Sequence, residues 1–179
     1  HILLSVDYQG DEYHQLYLIP ARGGEPQQLT RDSRVQHLIE SDAWSPDGHY
    51  IAYAANDRSP AHMDVLVRDM RTGKRTRLLA GDGLFYPETW SPNGRYIVAN
   101  QWITATDYNL YLIDVQRKTT RLITPHDDKG DSAYAAGPWL PDSSGFYFTS
   151  DEGREFSLGS RIQRQRVAEI GRASCRERV

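Results

Sequence analysis

"DAWSPDGHYIAYAAN", Asp42–Asn56, returns in altered form as "ETWSPNGRYIVANQW", Glu88–Trp102, and once more, worn, as "GPWLPDSSGFYFTSD", Gly137–Asp151. The copies carry Trp44, Trp90 and Trp139 at matching places, spaced by 46 and 49 residues. Self-similarity at such a period marks a fold built from units, each too small to bury a core alone. The units keep one internal order. After W-S-P-[DN]-G comes an apolar run, "YIAYA" at Tyr50–Ala54 and "YIVAN" at Tyr96–Asn100. A polar loop leads to a second run, "DVLVRD" at Asp64–Asp69 and "NLYLID" at Asn109–Asp114. A turn then gives a run of mixed polarity, "RTRLLA" at Arg75–Ala80 and "TTRLIT" at Thr119–Thr124. The N-terminal stretch enters the same scheme part-way, with "ILLSVD", "QLYLIP", a turn at "ARGGE" and "PQQLT".

Each unit therefore reads as four short strands. The runs Leu16–Ile19 and Leu110–Ile113 are apolar at consecutive positions, as a strand covered on both faces should be. The fourth strand sets Arg77 and Arg121 beside Leu78 and Leu122, the alternation of an outer strand half in water. Pro-Asp-Gly suits a tight turn: Pro presets φ, Asp bonds nearby amides and Gly accepts positive φ, with Asn93 in Asp47's place in the second copy. Four strands per unit with a period in the forties is the pattern of a β-propeller. The fold class is thus all-β: a partial β-propeller of four-stranded antiparallel blades. The strands number three, four, four and two along the chain, about three to four blades, against the roughly 4–8 that close a ring. An incomplete ring, an internal segment of a longer chain, is the expectation. Each Trp is expected to mark an inner strand packing against the next blade, in preference to a ligand-stacking platform.

Residues 1–156 carry the propeller pattern; 157–168 are a junction of unassigned character. The last eleven residues, "EIGRASCRERV" (169–179), resemble the translation of a common sequencing adapter and are set apart from fold reasoning. The single cysteine, Cys175, lies among them, so the rest of the chain has neither disulfide nor Cys metal site. Residues 161–179 hold six Arg and two Glu, net +4, which leaves −7 on residues 1–160 of a chain whose total is −3. An acidic body without a basic stripe argues against nucleic acid as a partner. No apolar run approaches the roughly 18 residues of a membrane helix, and no membrane partner is expected. The compartment is left open, with the cytoplasm favoured and the periplasm the alternative.

"WSPDGHYIAYA" followed by "DVLVRDMRTGKRTRLL" resembles the WD-like repeats shared by TolB and by the N-terminal domains of prolyl oligopeptidase-family serine peptidases, including dipeptidyl-peptidase-like and acylaminoacyl-peptidase-like members. The resemblance covers Ile2 to about Phe156. Two strings, Tyr8–Thr30 ("YQGDEYHQLYLIPARGGEPQQLT") and Ser150–Phe156 ("SDEGREF"), are similar to phrases of the peptidase propellers. The peptidase resemblance implies a propeller that performs no chemistry. It would gate short peptides into, and scaffold, an α/β-hydrolase domain bearing Ser, Asp and His, which this chain does not contain. The TolB resemblance implies a periplasmic platform for protein–protein interaction.

No catalytic, cofactor or metal residue is assigned, and no cofactor is expected. "GDSAY", Gly130–Tyr134, lacks the second Gly and the following helix of a G-x-S-x-G elbow and reads as a loop. His14, His37, His49, His62 and His126 show no H-E-x-x-H spacing. In "HDDKGDS", His126–Ser132, the carboxylates Asp127, Asp128 and Asp131 do not alternate as a calcium loop requires. Asp32 and Arg34 belong to the link between two blades and read as surface residues. Dipeptidyl-peptidase-type propellers present acidic residues to a substrate amino terminus. Asp151 and Glu152, with Arg154 and Glu155 behind them, are the local counterpart; the tandem-Glu motif is absent, so a polar loop is the preferred reading.

Overall fold

Fourteen short strands, all paired antiparallel, account for the regular structure of the computed structural model, which describes residues 1–40, 42–125 and 131–151 and the backbone of 165–169. They form four sheets in simple meander order. The first blade holds β1 (Ile2–Val6), β2 (Gln15–Ile19) and β3 (Gln27–Gln28). The second holds β4 (His37–Leu38), β5 (Tyr50–Ala55), β6 (Asp64–Asp69) and β7 (Arg75–Leu79). The third holds β8 (Leu84–Trp90), β9 (Tyr96–Trp102), β10 (Tyr108–Asp114) and β11 (Thr119–Leu122). The fourth holds β12 (Tyr134–Trp139), β13 (Gly145–Ser150) and β14 (Gln165–Glu169). Among the described residues these are successive sectors of an open ring. The fourth blade has three strands where the repeat count predicts two. Its third strand comes from the unassigned stretch and reaches the first residue of the adapter-like string, the rest of which lies outside the described residues. Pairing along the edge of β13 uses backbone amides, which no side-chain repeat announces.

The side-chain period of two explains how each blade holds both neighbours. On β5, Ile51 and Tyr53 join Leu16 and Val35 in a cluster against the first blade, while Ala52 turns the other way to meet the third. On β6, Leu66 goes back, and Val65 and Val67 go forward. On β9, Ile97 and Ala99 face the second blade and Val98 faces Leu110, Tyr134 and Phe146 in the third cluster. Both faces are covered, so consecutive positions are apolar, as the sequence pattern predicts.

The tryptophans correct one expectation: each faces the preceding blade, not the next. Trp44 bridges Ile51, Trp90 pairs with Ile97 and Trp139 with Phe146. Directly opposite residues share a face, and all three partners lie in the interface with the blade before. Trp90 also crosses that interface, its indole N–H donating to the carbonyl of Ala43 at 3.2 Å.

The repeated turn is a small hydrogen-bonded unit. Ser45 Oγ donates to Asp47 Oδ1 (2.6 Å) and accepts from the Tyr50 N–H (2.9 Å), while Asp47 Oδ1 also accepts the His49 N–H (3.0 Å). Ser91, Asn93, Arg95 and Tyr96 repeat it bond for bond at 2.7, 3.0 and 2.9 Å. Gly48 and Gly94 hold φ of +70° and +69°. In the worn copy Ser143 takes the glycine's place at φ +62°, and its Oγ accepts the Asn93 N–H at 3.0 Å, tying the fourth blade's turn to the third's.

One polar cluster is built into the second blade. Asp64, fully buried, accepts both arms of Arg58 (2.9 and 3.0 Å) and Arg77 Nε (3.0 Å), and Arg77 also reaches Asp57 (2.6 Å). A buried carboxylate is tolerable only when so paired.

The turn geometry generates a test. A Cβ at position 94 would have Pro46 Cδ at 3.8 Å, ordinary contact, so only the backbone conformation opposes it. Gly94→Ala is expected to destabilise the chain by about 1–2 kcal/mol. Thermal unfolding followed by circular dichroism should show Tm lowered by several degrees.

Candidate functional site

The residues singled out in the sequence are scattered. Ser132 is buried in the link before β12, its N–H on Asp107 Oδ1 at 3.3 Å and its carbonyl accepting the Tyr108 N–H at 3.0 Å; a strand, not a helix, follows. Gly130, His126, Asp127 and Asp128 lie outside the described residues, as do Glu152, Arg154 and Glu155. Asp131 accepts a short hydrogen bond from the Thr106 hydroxyl, and Asp151 accepts the Ala133 N–H at 2.6 Å, a link that anchors the start of β12. His49 sits 3.3 Å from Asp47, His62 Nδ1 accepts the Gly83 N–H at 3.0 Å, and the His37 backbone N–H donates to the His14 carbonyl at 2.9 Å. Among the described residues no three His, Cys, Asp or Glu side chains form a metal-sized group. Asp32 and Arg34 are exposed, as expected.

What the fold does bring together is the inner edge of three blades. β4, β8 and β12 are the first strands of their sheets. The segments they belong to converge on a groove of about 370 Å³ where a closed propeller has its central channel. Glu40 and Asp42 reach it from the second blade, Tyr86, Glu88, Asn100 and Trp102 from the third, and Ala136 to Pro138 from the fourth. Two irregularities in strand register shape it. The pairing of β8 with β9 shifts between Pro87 and Thr89, so Glu88 stands off the ladder. The pairing of β12 with β13 shifts between Ala136 and Trp139, across Gly137 and Pro138. Such bulges re-aim side chains beside a site. A Cβ at Gly137 would stand 3.0 Å from the Tyr147 carbonyl oxygen, so a side chain there would press on β13.

The groove is acidic and aromatic. Glu88 Oε2 accepts the Ala136 N–H across the blade interface at 3.0 Å. Burial pushes its carboxyl above the ordinary value of 4.5; the nearby Glu40 charge adds to this, and the Ala136 and Asn100 hydrogen bonds oppose it. Tyr86 and Trp102 rings lie 5.4 Å apart, and Tyr108 meets Trp102 edge-on at 5.7 Å. Half of Trp102 is open to solvent. Asn100, buried beside Glu88, donates to the Tyr134 carbonyl at 3.3 Å and leaves its own Oδ1 without a partner. None of these residues was singled out in the sequence. The available signal was proline inside a strand, in "FYPETW" and "AAGPW", since Pro in a sheet belongs to an edge or a bulge.

Antiparallel four-stranded blades set side by side around a common inner groove define a β-propeller. More narrowly, residues 2–158 match the TolB beta propeller domain, and the chain belongs to that family. An uncharacterized protein of Agrobacterium fabrum is 31% identical over 131 residues, 72% of this chain and 39% of its own length. The Tol-Pal system protein TolB of Francisella tularensis is 31% identical over 87 residues, 48% of this chain and 20% of that protein. The crystal structure of TolB from Acinetobacter baumannii superposes with a TM-score of 0.59 and 26% identity, over 79% of this chain and 33% of that one. Oligopeptidase B from Leishmania major superposes with a TM-score of 0.54 over 84% of this chain and 21% of its own, at 15% identity, a likeness of fold alone. The chain thus spans well under half the length of the curated relatives it matches.

The raised Glu88 carboxyl has a pH signature. Its folded value lies above its unfolded one, so its protonated form stabilises the fold below about the ordinary glutamate range, and this is lost as pH rises through the folded value. Glu88→Gln keeps an acceptor for the Ala136 amide and carries no charge. The variant is expected to melt at the same temperature as the wild type at pH 4 and higher than it at pH 7, in a Tm series across that range.

Proposed function

We propose that this chain is a non-catalytic recognition segment whose inner groove holds an extended, basic stretch of a partner protein, in the manner of a TolB-like interaction platform. The observation that carries the reading is the convergence of Glu40, Asp42 and Glu88 with the faces of Tyr86 and Trp102 on one groove. Carboxylates and an exposed indole are the chemistry that receives Lys or Arg, by ion pairing and by cation–π contact. The strands β4, β8 and β12 are also the end strands of their sheets, and an extended peptide can add to such an edge. The relatives named TolB are Tol-Pal system proteins, which supports a partner within a multi-protein assembly.

A second reading is favoured by the strings Tyr8–Thr30 and Ser150–Phe156, which resemble peptidase propellers. In it the same groove gates short peptides and scaffolds an α/β-hydrolase domain encoded elsewhere in the gene. The two readings share the groove and differ in what adjoins it. The gene beyond Phe156 separates them: the peptidase reading requires a G-x-S-x-G elbow followed by Asp and His, and the platform reading requires their absence.

Groove binding itself is tested by titrating the chain with a fluorescein-labelled Lys/Arg-rich decapeptide, and with its Glu-substituted counterpart as control. Trp102→Ala and Glu88→Gln are each expected to weaken the basic peptide by about tenfold, roughly 1.4 kcal/mol. Equal affinity of both peptides, or of wild type and both variants, would sink the proposal.

A further inference from the structure

On the other side of the second blade, its gap with the first opens into a cleft of about 710 Å³. Four arginines line it: Arg31 and Arg34 from the loop after β3, Arg68 from β6 and Arg75 from β7. Arg68 and Arg75 are directly opposite in the β6–β7 register and so share a face. Like charges placed this way repel. None of the four has an ion-pair partner among the described residues. The two acids in the cleft are already engaged, Asp57 with Arg77 at 2.6 Å and Asp32 Oδ1 with the Arg34 amide at 3.1 Å.

Two buried nitrogens point to something that the protein does not itself supply. Arg68 Nη1 donates to the Leu29 carbonyl at 2.9 Å, which fixes the guanidinium, yet its Nε is buried without a partner. His37, which also lines the cleft, is 1% exposed, and its Nδ1 is likewise buried and unpartnered. A buried polar atom left so is costly unless an outside group satisfies it.

We propose that this cleft is an oxyanion site, taking the phosphate group of a small soluble organic phosphate. Guanidinium forks match the tetrahedral oxygens of phosphate, and each such charge-assisted bond is stronger than a neutral one. With Asp57 held by Arg77, the four arginines face Asp32 alone, a positive excess that a phosphate dianion offsets. The cleft is larger than orthophosphate needs, which leaves room for the polar organic body that carries the phosphate. The site is separate from the inner groove and does not depend on what the groove binds.

The test uses the full 179-residue chain, by calorimetric titration and thermal unfolding at constant ionic strength. Glycerol 3-phosphate and inorganic phosphate should bind saturably and raise Tm, whereas glycerol and sodium chloride should not. Arg34→Gln and Arg75→Gln are exposed substitutions that leave the fold intact, and each should weaken phosphate at least tenfold. Ligand-free Arg75→Gln should melt at or above the wild-type temperature, because the opposed pair with Arg68 is relieved. Shifts equal to those given by chloride, or unchanged phosphate affinity in both variants, would overturn the assignment.

Discussion

The constraint on which this structure rests is that no blade has an interior of its own. A four-stranded sheet one residue thick has two faces, and both must leave water. Along β5, β6 and β9 successive side chains alternate between the blade before and the blade after, so each cluster of the core is an interface. Burying apolar surface is worth roughly 25 cal/mol per Å², and here nearly all of it is collected between units. The tryptophans work within this scheme. Trp90 belongs to the second interface, in one cluster with Val67 and Leu78, and its indole N–H bonds the Ala43 carbonyl.

The turn that precedes each second strand keeps the interfaces in register. With period-two side chains, a slip of one residue would exchange every forward contact for a backward one. The Ser45–Asp47 and Ser91–Asn93 units lock the hairpin length through side-chain bonds that leave no freedom for such a slip. Once the sheets are fixed, their first strands are brought edge to edge at the inner rim. Pro87 and Pro138 interrupt those strands where a ladder amide is not needed, and the resulting bulges turn Glu88 and the Ala136 amide towards each other. The groove is a product of the irregularities, and the core of the regular parts.

Much of the fold was legible in one dimension because its causes are local. "DVLVRD" became β6 residue for residue, and "RTRLLA" and "YIAYA" each differ from β7 and β5 by one residue. β4 was not legible: it is two residues long inside a polar link, paired by backbone alone with Ala54 and Ala55. Nor was the Asp64–Arg58–Arg77 cluster, whose members look like ordinary surface charges until β6 and β7 pair. The direction in which each Trp faces was misread because parity, not residue type, decides it.

By itself the sequence determined the repeat, the four-strand unit, the glycine-dependent turns and the two-sided apolar strands, since each follows from side-chain period and from φ preferences acting within a few residues. Only the tertiary structure decided which charges meet. Glu40 shares a groove with Glu88 and Trp102, and Arg34 a cleft with Arg68 and Arg75, because segments of neighbouring blades were set against one another. Glu40 and Glu88 are 48 positions apart and Arg34 and Arg75 are 41 apart, and register and bulges, which no local pattern encodes, select them.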